Sequence, residues 1–294
     1  VITQMFIGID HGTSSIRFSS GESCFKITRE EAREFRWQAL ARLCPLDQIE
    51  GIALTYSMGD GFSRITRVQE LDNRGVISRE GAGKHIGGGT CVFDQVRQSG
   101  LPAVAVPGLH RNSPTDTRFK AYSHQASPEK IGIAYLVSGD LGGDFVVSDT
   151  SSNTVTLLIS GGRIIGALDA CIFAPGLEHG ALDVEAIRSI DAGKITANGA
   201  FLKAGVNHTL PPDERIRTVA LFAAMECAAL LLLAPSARVA VAGSLAHHIA
   251  GEVESLLQKP VAVYDQWCAS RGLAAIARDV FGGKEEILGI GVNM

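Results

Sequence analysis

Short apolar runs that end on polar turn residues alternate with longer amphipathic stretches along this chain, the pattern of a mixed α/β protein. The clearest run is Phe6–Phe18, FIGIDHGTSSIRF. Phe6, Ile7 and Ile9 read as a buried strand that ends on Asp10. The chain then turns through His11-Gly12-Thr13 and resumes with Ile16 and Phe18 in alternation, which predicts a tight β-hairpin. Phe145–Ile159, FVVSDTSSNTVTLLI, has the same grammar: an apolar strand, Asp149, a polar turn over Thr150–Asn153 and a second apolar strand. One such hairpin in each half points to an internal structural repeat.

The pattern between the hairpins predicts the remaining elements. A third strand covers Cys24–Ile27, and Thr28 with Glu31 forms a capping-box signature for a helix through about Leu43, ended by Pro45. Ile49–Thr55 reads as a strand, Thr90–Ser99 as a helix and Ala103–Val106 as a strand. Val106–Ser123 is a long polar connection. Ser127-Pro128 then opens a helix to about Val137. The glycine break Gly139–Gly143 marks the domain boundary, giving domains 1–138 and 139–294, with the last helix and strand expected to pack back on the first. In the second half, Ser160–Arg163 is a turn, Ile164–Leu168 a strand and Phe173–Gly180 a loop. Asp183–Ile190 and Glu214–Leu233 are helices. Arg238–Ala242 is a strand that Gly243-Ser244 turns into a helix, Val261–Tyr264 an inner strand, Ala269–Phe281 a helix and Ile287–Val292 an edge strand.

A length of 294 residues is about twice a typical domain, so two domains are expected. Hydrophobic residues at 46% and charged ones at 20% suit a chain with a substantial core. A net charge of −4 carries no electrostatic footprint for nucleic acid. The six cysteines are scattered without a CxxC pair, which argues against a zinc site or disulfide framework and for reduced thiols in a cytoplasm. No signal peptide is expected. The most apolar stretch, Ala220–Ala234, is interrupted by Glu226, bounded by Pro235 and shorter than the roughly 18 residues of a membrane span. It reads as a central helix, with homodimer contact through it as a further expectation and no membrane partner.

Chemistry concentrates at the hairpin tips. Gly12 lets backbone approach a ligand closely, and Thr13, Ser14 and Ser15 offer hydroxyls and N–H groups to phosphate oxygens. Asp10 would face the accompanying metal, most naturally Mg²⁺ through water. Two such carboxylates, Asp10 and Asp149, facing each other across a cleft can hold one Mg-nucleotide. The turn at Gly243-Ser244 presents N–H groups at a helix start, favourable for an adenosine-phosphate ligand. GVISREGAGKHIGGGT, Gly75–Thr90, is not a P-loop: Ser78 replaces the first glycine, and His85 stands where Ser or Thr should follow the lysine. It reads as a substrate-side loop carrying Arg79, Lys84 and His85, or as a solvated glycine loop. His11 reads as a solvent-facing turn histidine.

These residues resemble a known group. IGIDHGTSSIRF resembles the first phosphate motif, VVSDTSSNTVTLL the second and VAVAGSLAH the adenosine motif of the acetate and sugar kinase/heat-shock ATPase/actin superfamily. The helices at Ser127–Val137 and Ala269–Phe281 fall where its two connecting helices belong. Within it the chain is similar to acetate and butyrate kinases, and VPGLHRNSPTDTR, SHQASPEKIGIAY and APGLEHGALDVEAIR resemble the archaeal group described as methanogenesis marker protein 12. The resemblance implies an α/β fold of two ribonuclease H-like (actin-like ATPase) domains. Each is a mixed five-stranded sheet flanked by helices, with a nucleotide cleft between them. It implies ATP and Mg²⁺ as cofactors, with Asp10 and Asp149 at the metal, and Gly12, Thr13, Ser14, Thr150, Ser151, Ser152, Gly243 and Ser244 at the nucleotide.

If a phosphoryl group moves, a cationic side chain must balance its charge. The candidates in falling order are His179, His124, Arg79 and Arg111. The leading expectation is an ATP-dependent phosphotransferase on a small carboxylate or hydroxyl acceptor. An ATPase whose domain closure activates a partner protein, and a nucleotide-binding protein without catalysis, are the alternatives.

Overall fold

The computed structural model describes residues 5–77 and 87–294. They form two units: residues 5–77, 87–140 and 267–294 make the first, and residues 141–266 the second.

In the first unit, β1 (Met5–His11), β2 (Ser15–Ser20) and β3 (Ser23–Thr28) are the predicted antiparallel run, and β4 (Ile49–Leu54) lies parallel to β1 on its other side. β5 (Ile65–Arg67), the helix α1 (Gly89–Gln98) and β6 (Ala103–Ala105) follow. The long connection contains a small separate sheet of β7 (Leu109–His110) and β8 (His124–Ala126) before α2 (Glu129–Leu141).

The predicted helix after Thr28 is not continuous. The capping box forms, with the Thr28 backbone N–H donating to Glu31 Oε2 at 2.6 Å and Glu31 N–H to Thr28 Oγ1 at 3.1 Å. Only short 3-10 turns follow, at Glu31–Glu34, Trp37–Arg42 and Leu46–Gln48. Phe35 leaves the helical path (φ −53°, ψ 135°) to stack on Phe18, with ring centroids 5.4 Å apart. Phe18 stacks in turn on Phe25 at 4.6 Å. Tertiary burial of an aromatic side chain has overridden local propensity here.

The second unit opens with β9 (Phe145–Thr150), β10 (Thr154–Ser160) and β11 (Arg163–Leu168), each antiparallel to the next. Four helices follow: α3 (Val184–Asp191), α4 (Ala197–Phe201), α5 (Val206–Thr209) and the long α6 (Pro212–Leu231). β12 (Arg238–Ala242) runs parallel to β9, and α7 (Ala246–Leu257) returns the chain to β13 (Val261–Val263). The chain then rejoins the first unit with α8 (Cys268–Phe281) and a terminal hairpin, β14 (Glu286–Ile287) and β15 (Ile290–Asn293).

The sheet orders carry the repeat. The first unit contains β3-β2-β1-β4-β6, and the second is β11-β10-β9-β12-β13, with the same sequence of antiparallel and parallel pairings. The five-stranded expectation holds for the second unit. In the first, β5, β15 and β14 extend the same five strands to eight. The fold is mixed α/β, and in each unit the middle strand of the five repeated ones carries an aspartate as its penultimate residue.

α8 lies directly on β1 because Gly8 has no side chain. A Cβ there would sit 1.9 Å from the Ser270 carbonyl oxygen and 2.4 Å from the Ala274 nitrogen. Ser19 Oγ and Ser270 Oγ share a buried hydrogen bond of 2.6 Å that fixes the helix along the sheet.

In the second unit α6 packs across β9 and β10, carrying the fully buried Glu226 into the core. Thr156 Oγ1 donates to Glu226 Oε2 at 2.7 Å, and the Ala174 N–H to Oε1 at 3.3 Å. Burial pushes this carboxyl up to about 8 against those two hydrogen bonds, with the nearby Asp169 adding to the rise. The folded-state pKa is raised, so the stabilisation is complete at pH values below the ordinary carboxylate range and is lost as pH rises through about 8. Glu226→Gln is expected to flatten that dependence, which has a limiting slope of about 1.4 kcal/mol per pH unit for one proton. Urea unfolding from pH 5 to 9 measures it; parallel curves for wild type and variant would show that Glu226 is ionised in the folded protein. Among the described residues, no helix is long and apolar enough to cross a membrane.

Candidate functional site

Asp10 is the penultimate residue of β1, the middle one of the five repeated strands, just past the end of the parallel neighbour β4. Ligands of α/β sheets bind at such carboxyl ends. Asp10 is buried, and hairpin register sets Arg17 directly opposite it on β2. Arg17 Nη1 donates to Asp10 Oδ2 at 3.2 Å. The turn tightens at Gly12, where a Cβ would press on Arg17 Nη1 at 2.8 Å, and Thr13 and Ser14 stand exposed at its tip.

His11 does not face solvent as expected. Its backbone N–H donates to Thr55 Oγ1 at 2.9 Å, and its ring meets the edge of Tyr56 with centroids 5.7 Å apart. Nε2 lies 3.2 Å from the Gly89 carbonyl oxygen; a carbonyl only accepts, so Nε2 carries the proton. Burial, and then the charge of Arg29, hold this imidazole down to about 3, outweighing the hydrogen bonds with Gly89 and Thr55. The ring is neutral. The enclosure comes from the N-terminal end of α1, which returns to the hairpin from far along the chain.

The second unit repeats the arrangement around Asp149, buried at the end of central strand β9 and in register with Ala242 on β12. Thr150 is buried, its Oγ1 donating to the Ala242 carbonyl at 3.2 Å, while Ser151 and Ser152 are partly exposed. The turn at Gly243-Ser244 meets the Asp149 turn directly. The Leu245 N–H donates to the Thr150 carbonyl at 3.1 Å, and a Cβ on Gly243 would lie 2.3 Å from Asp149 Oδ1. Gly243 has φ +97°, so glycine is needed for conformation as well as space. Ser244 is exposed beside it.

The loop Phe173–Gly180 also docks on this turn, through N–H bonds from Glu178 at 3.0 Å and His179 at 3.1 Å to the Ser152 carbonyl. His179 is buried, stacks on Phe201 with centroids 4.9 Å apart, and pairs Nδ1 with Asn153 Oδ1. Glu178 accepts from Asn207 Nδ2 at 2.7 Å and pairs with His208 Nε2 at 2.8 Å. Burial raises its carboxyl, but those partners and the charges of His208 and His179 outweigh it and hold it below the ordinary range.

The structure thus brings Asp149, Thr150, Ser151, Ser152, Gly243, Ser244 and His179 together in the second unit, and Asp10, Gly12, Thr13 and Ser14 in the first. His124 lies apart from the sheet that bears Asp10, on the small β7–β8 sheet opposite His110. Arg111 is exposed, its Nε donating to the Lys120 carbonyl at 3.2 Å. Arg79, with Lys84 and His85, lies outside the described residues. Two cations beside Asp10 escaped the sequence reading. Arg17 could have been found from hairpin register. Arg29 could not, because its surroundings are assembled from distant segments.

No family model matches the chain. It is 46% identical to a UPF0285 protein of Methanosarcina mazei over 98% of its own length and 99% of the relative's. With a UPF0285 protein of Methanocaldococcus jannaschii the identity is 44%, over 98% of each chain. The chain belongs to the UPF0285 family. Solved structures similar to this UPF0285 member include a propionate kinase from Francisella tularensis (TM-score 0.60, 11% identity, 94% of this chain and 100% of that one). An acetate kinase from Porphyromonas gingivalis matches with TM-score 0.55 and 10% identity over 95% and 100% of the two chains. A ROK family glucokinase from Streptomyces griseus, solved with glucose and AMPPNP, matches with TM-score 0.54 and 15% identity over 94% and 99%. At these identities the likeness is one of fold alone.

Proposed function

We propose that this UPF0285 protein is an ATP-dependent phosphotransferase, similar to acetate and butyrate kinases, that acts on a small carboxylate or hydroxyl acceptor. The observation that carries the reading is the Asp149 turn: a buried carboxylate at the end of a central strand, against a Gly243 turn whose missing Cβ keeps backbone and carboxylate in direct contact. The donors suit Mg-ATP, since Mg²⁺ takes hard oxygen ligands from one or two carboxylates together with phosphates and water. Among the described residues, no cluster of three or more His, Cys, Asp or Glu offers a different metal centre.

In this reading the aspartate-tipped turns serve Mg-ATP. Asp149 and Asp10 hold the metal. The N–H groups and hydroxyls of Gly12, Thr13, Ser14, Thr150, Ser151 and Ser152 take phosphate oxygens, and Gly243-Ser244 takes the adenosine side. Bound Mg²⁺ supplies charge neutralisation on the phosphates. The residues of the chain position the reactants, which is most of what phosphoryl transfer asks of a protein. His179, oriented by Asn153 and Phe201, faces the same turn as a cationic aid. Correspondence to the methanogenesis marker protein 12 group, a cytoplasmic location and homodimerisation through the exposed Leu221 and Met225 of α6 complete the proposal.

ADP formation, followed with a panel of small carboxylates and alcohols, tests the reading. Acceptor-dependent turnover should fall at least about a hundredfold in Asp149→Asn, the scale for removing one preorganised electrostatic group. ADP release indifferent to every acceptor would replace the kinase with an ATPase that serves a partner protein. Absence of any turnover would leave a nucleotide-binding protein without catalysis.

A further inference from the structure

Nothing in the proposed reaction uses Glu226, a carboxyl buried on the core side of α6. Its neighbours there, Ala223, Ala224, Cys227 and Leu230, are buried as well. An apolar side chain of the same volume would avoid the cost of taking a carboxyl out of water. The hydrogen bonds of Glu226 show what that cost secures.

Its two oxygens reach the Asp149 turn by separate routes. Thr156 Oγ1 donates to Oε2 at 2.7 Å and shares a further hydrogen bond of 2.9 Å with Ser148 Oγ, on the residue before Asp149 in β9. Oε1 accepts the Ala174 N–H at 3.3 Å, where the loop that docks on the turn begins. One helical turn earlier on α6, Phe222 meets the Phe173 ring with centroids 5.1 Å apart. From Ala174 onward the loop has little slack. Thr154 Oγ1 donates to the Pro175 carbonyl at 2.8 Å, the Leu177 N–H to the Ser151 carbonyl at 3.0 Å, and the Glu178 and His179 N–H groups to the Ser152 carbonyl. Gly176 brings backbone onto backbone, since a Cβ there would lie 2.4 Å from the Ser152 carbonyl oxygen and 2.5 Å from Asn153 Cα. Ser151 and Ser152 are therefore held by a segment that is itself anchored at Ala174.

We propose that Glu226 is a positioning residue for the Asp149 turn: by holding the Ala174 N–H it fixes residues 174–179, and through them the Ser151 and Ser152 that take nucleotide phosphates. The proposal rests on the phosphotransferase reading for the ligand, whereas the tether exists without it. Burial keeps the carboxyl protonated at neutral pH, its pKa pushed up to about 8. Glutamine therefore reproduces the uncharged side chain with an oxygen acceptor, and methionine keeps roughly the volume without one.

Calorimetric titration of the full chain with Mg-ATP at neutral pH, for wild type, Glu226→Gln and Glu226→Met, is the test, with urea midpoints alongside. Affinity in Glu226→Gln should stay within about threefold of wild type and fall about tenfold or more in Glu226→Met, the scale of leaving one buried N–H unpaired. A merely structural role would lower the Glu226→Met midpoint and leave the Mg-ATP affinity of its folded fraction unchanged; that result would overturn the proposal. So would equal losses in the two variants, which would make something other than the acceptor for Ala174 the cause. Amide hydrogen exchange without nucleotide tests the tether alone. The Leu177, Glu178 and His179 amides should exchange about tenfold faster in Glu226→Met than in wild type, and equal rates would contradict the tether. If wild type does not bind Mg-ATP, the phosphotransferase reading fails, and the exchange rates still decide the tether. If Glu226→Met does not fold by circular dichroism, wild type decides: Mg-ATP should slow exchange at Ala174 at least about threefold, and an unchanged rate would overturn the coupling.

Discussion

Replacing Gly243 with alanine should remove nucleotide binding and destabilise the second unit together. The new methyl group would lie 2.3 Å from Asp149 Oδ1 and 2.6 Å from the Thr150 carbonyl oxygen, and the residue would have to keep φ +97°. A left-handed or rarer conformation costs a non-glycine residue about 1–3 kcal/mol. The clash is with backbone as well as side chain, so the relief has to come from moving β12 away from β9 or turning the Asp149 carboxylate. A loss of about 3 kcal/mol in unfolding free energy and at least a tenfold loss of Mg-ATP affinity are the expected outcomes. Urea unfolding and nucleotide titration of the same preparation measure them. Wild-type values for both would mean that the turn relaxes without disturbing Asp149, which would remove the main support for its role.

Gly8→Ala should be the most damaging single methyl group in the first unit. Its Cβ would penetrate the backbone of α8, at 1.9 Å from the Ser270 oxygen and 2.4 Å from the Ala274 nitrogen. Neither side can yield cheaply. β1 is an interior strand, hydrogen-bonded to β2 and β4, and α8 is tied along it by the Ser19–Ser270 bond. Overpacking costs about 1–3 kcal/mol where flexible side chains absorb it; here the obstacle is backbone, and about 3 kcal/mol or more is expected. Against a total stability of about 5–15 kcal/mol, that is a large share. The measurement is the urea midpoint by circular dichroism, which should fall clearly, with poor expression as the extreme. An unchanged midpoint would show that α8 is less tightly seated than its contacts with β1 indicate.

The two hairpins were legible because strand alternation and turn chemistry agree with the tertiary fold, residue for residue, around Asp10 and Asp149. Strands at Ile49, Ala103 and Arg238 were legible for the same reason, as short apolar runs with polar ends. The helix expected after Thr28 was not: its capping box formed, yet Phe35 gains more from stacking on Phe18 than from continuing the helix. Glu226 read as an interruption of an apolar helix, and only the fold shows it answering Thr156 and Ala174. His11 and Arg29 were least legible, because their environment is made by Gly89, distant along the chain. Local pattern carries no signal for such a contact.

The central claim, a Mg-nucleotide site built on Asp149, is tested most directly by calorimetric titration of wild-type protein with ATP in the presence and absence of Mg²⁺. Micromolar binding that requires Mg²⁺ and weakens at least tenfold in Asp149→Asn is the predicted result. No binding to wild type, or binding indifferent to both Mg²⁺ and the Asp149 substitution, would contradict it.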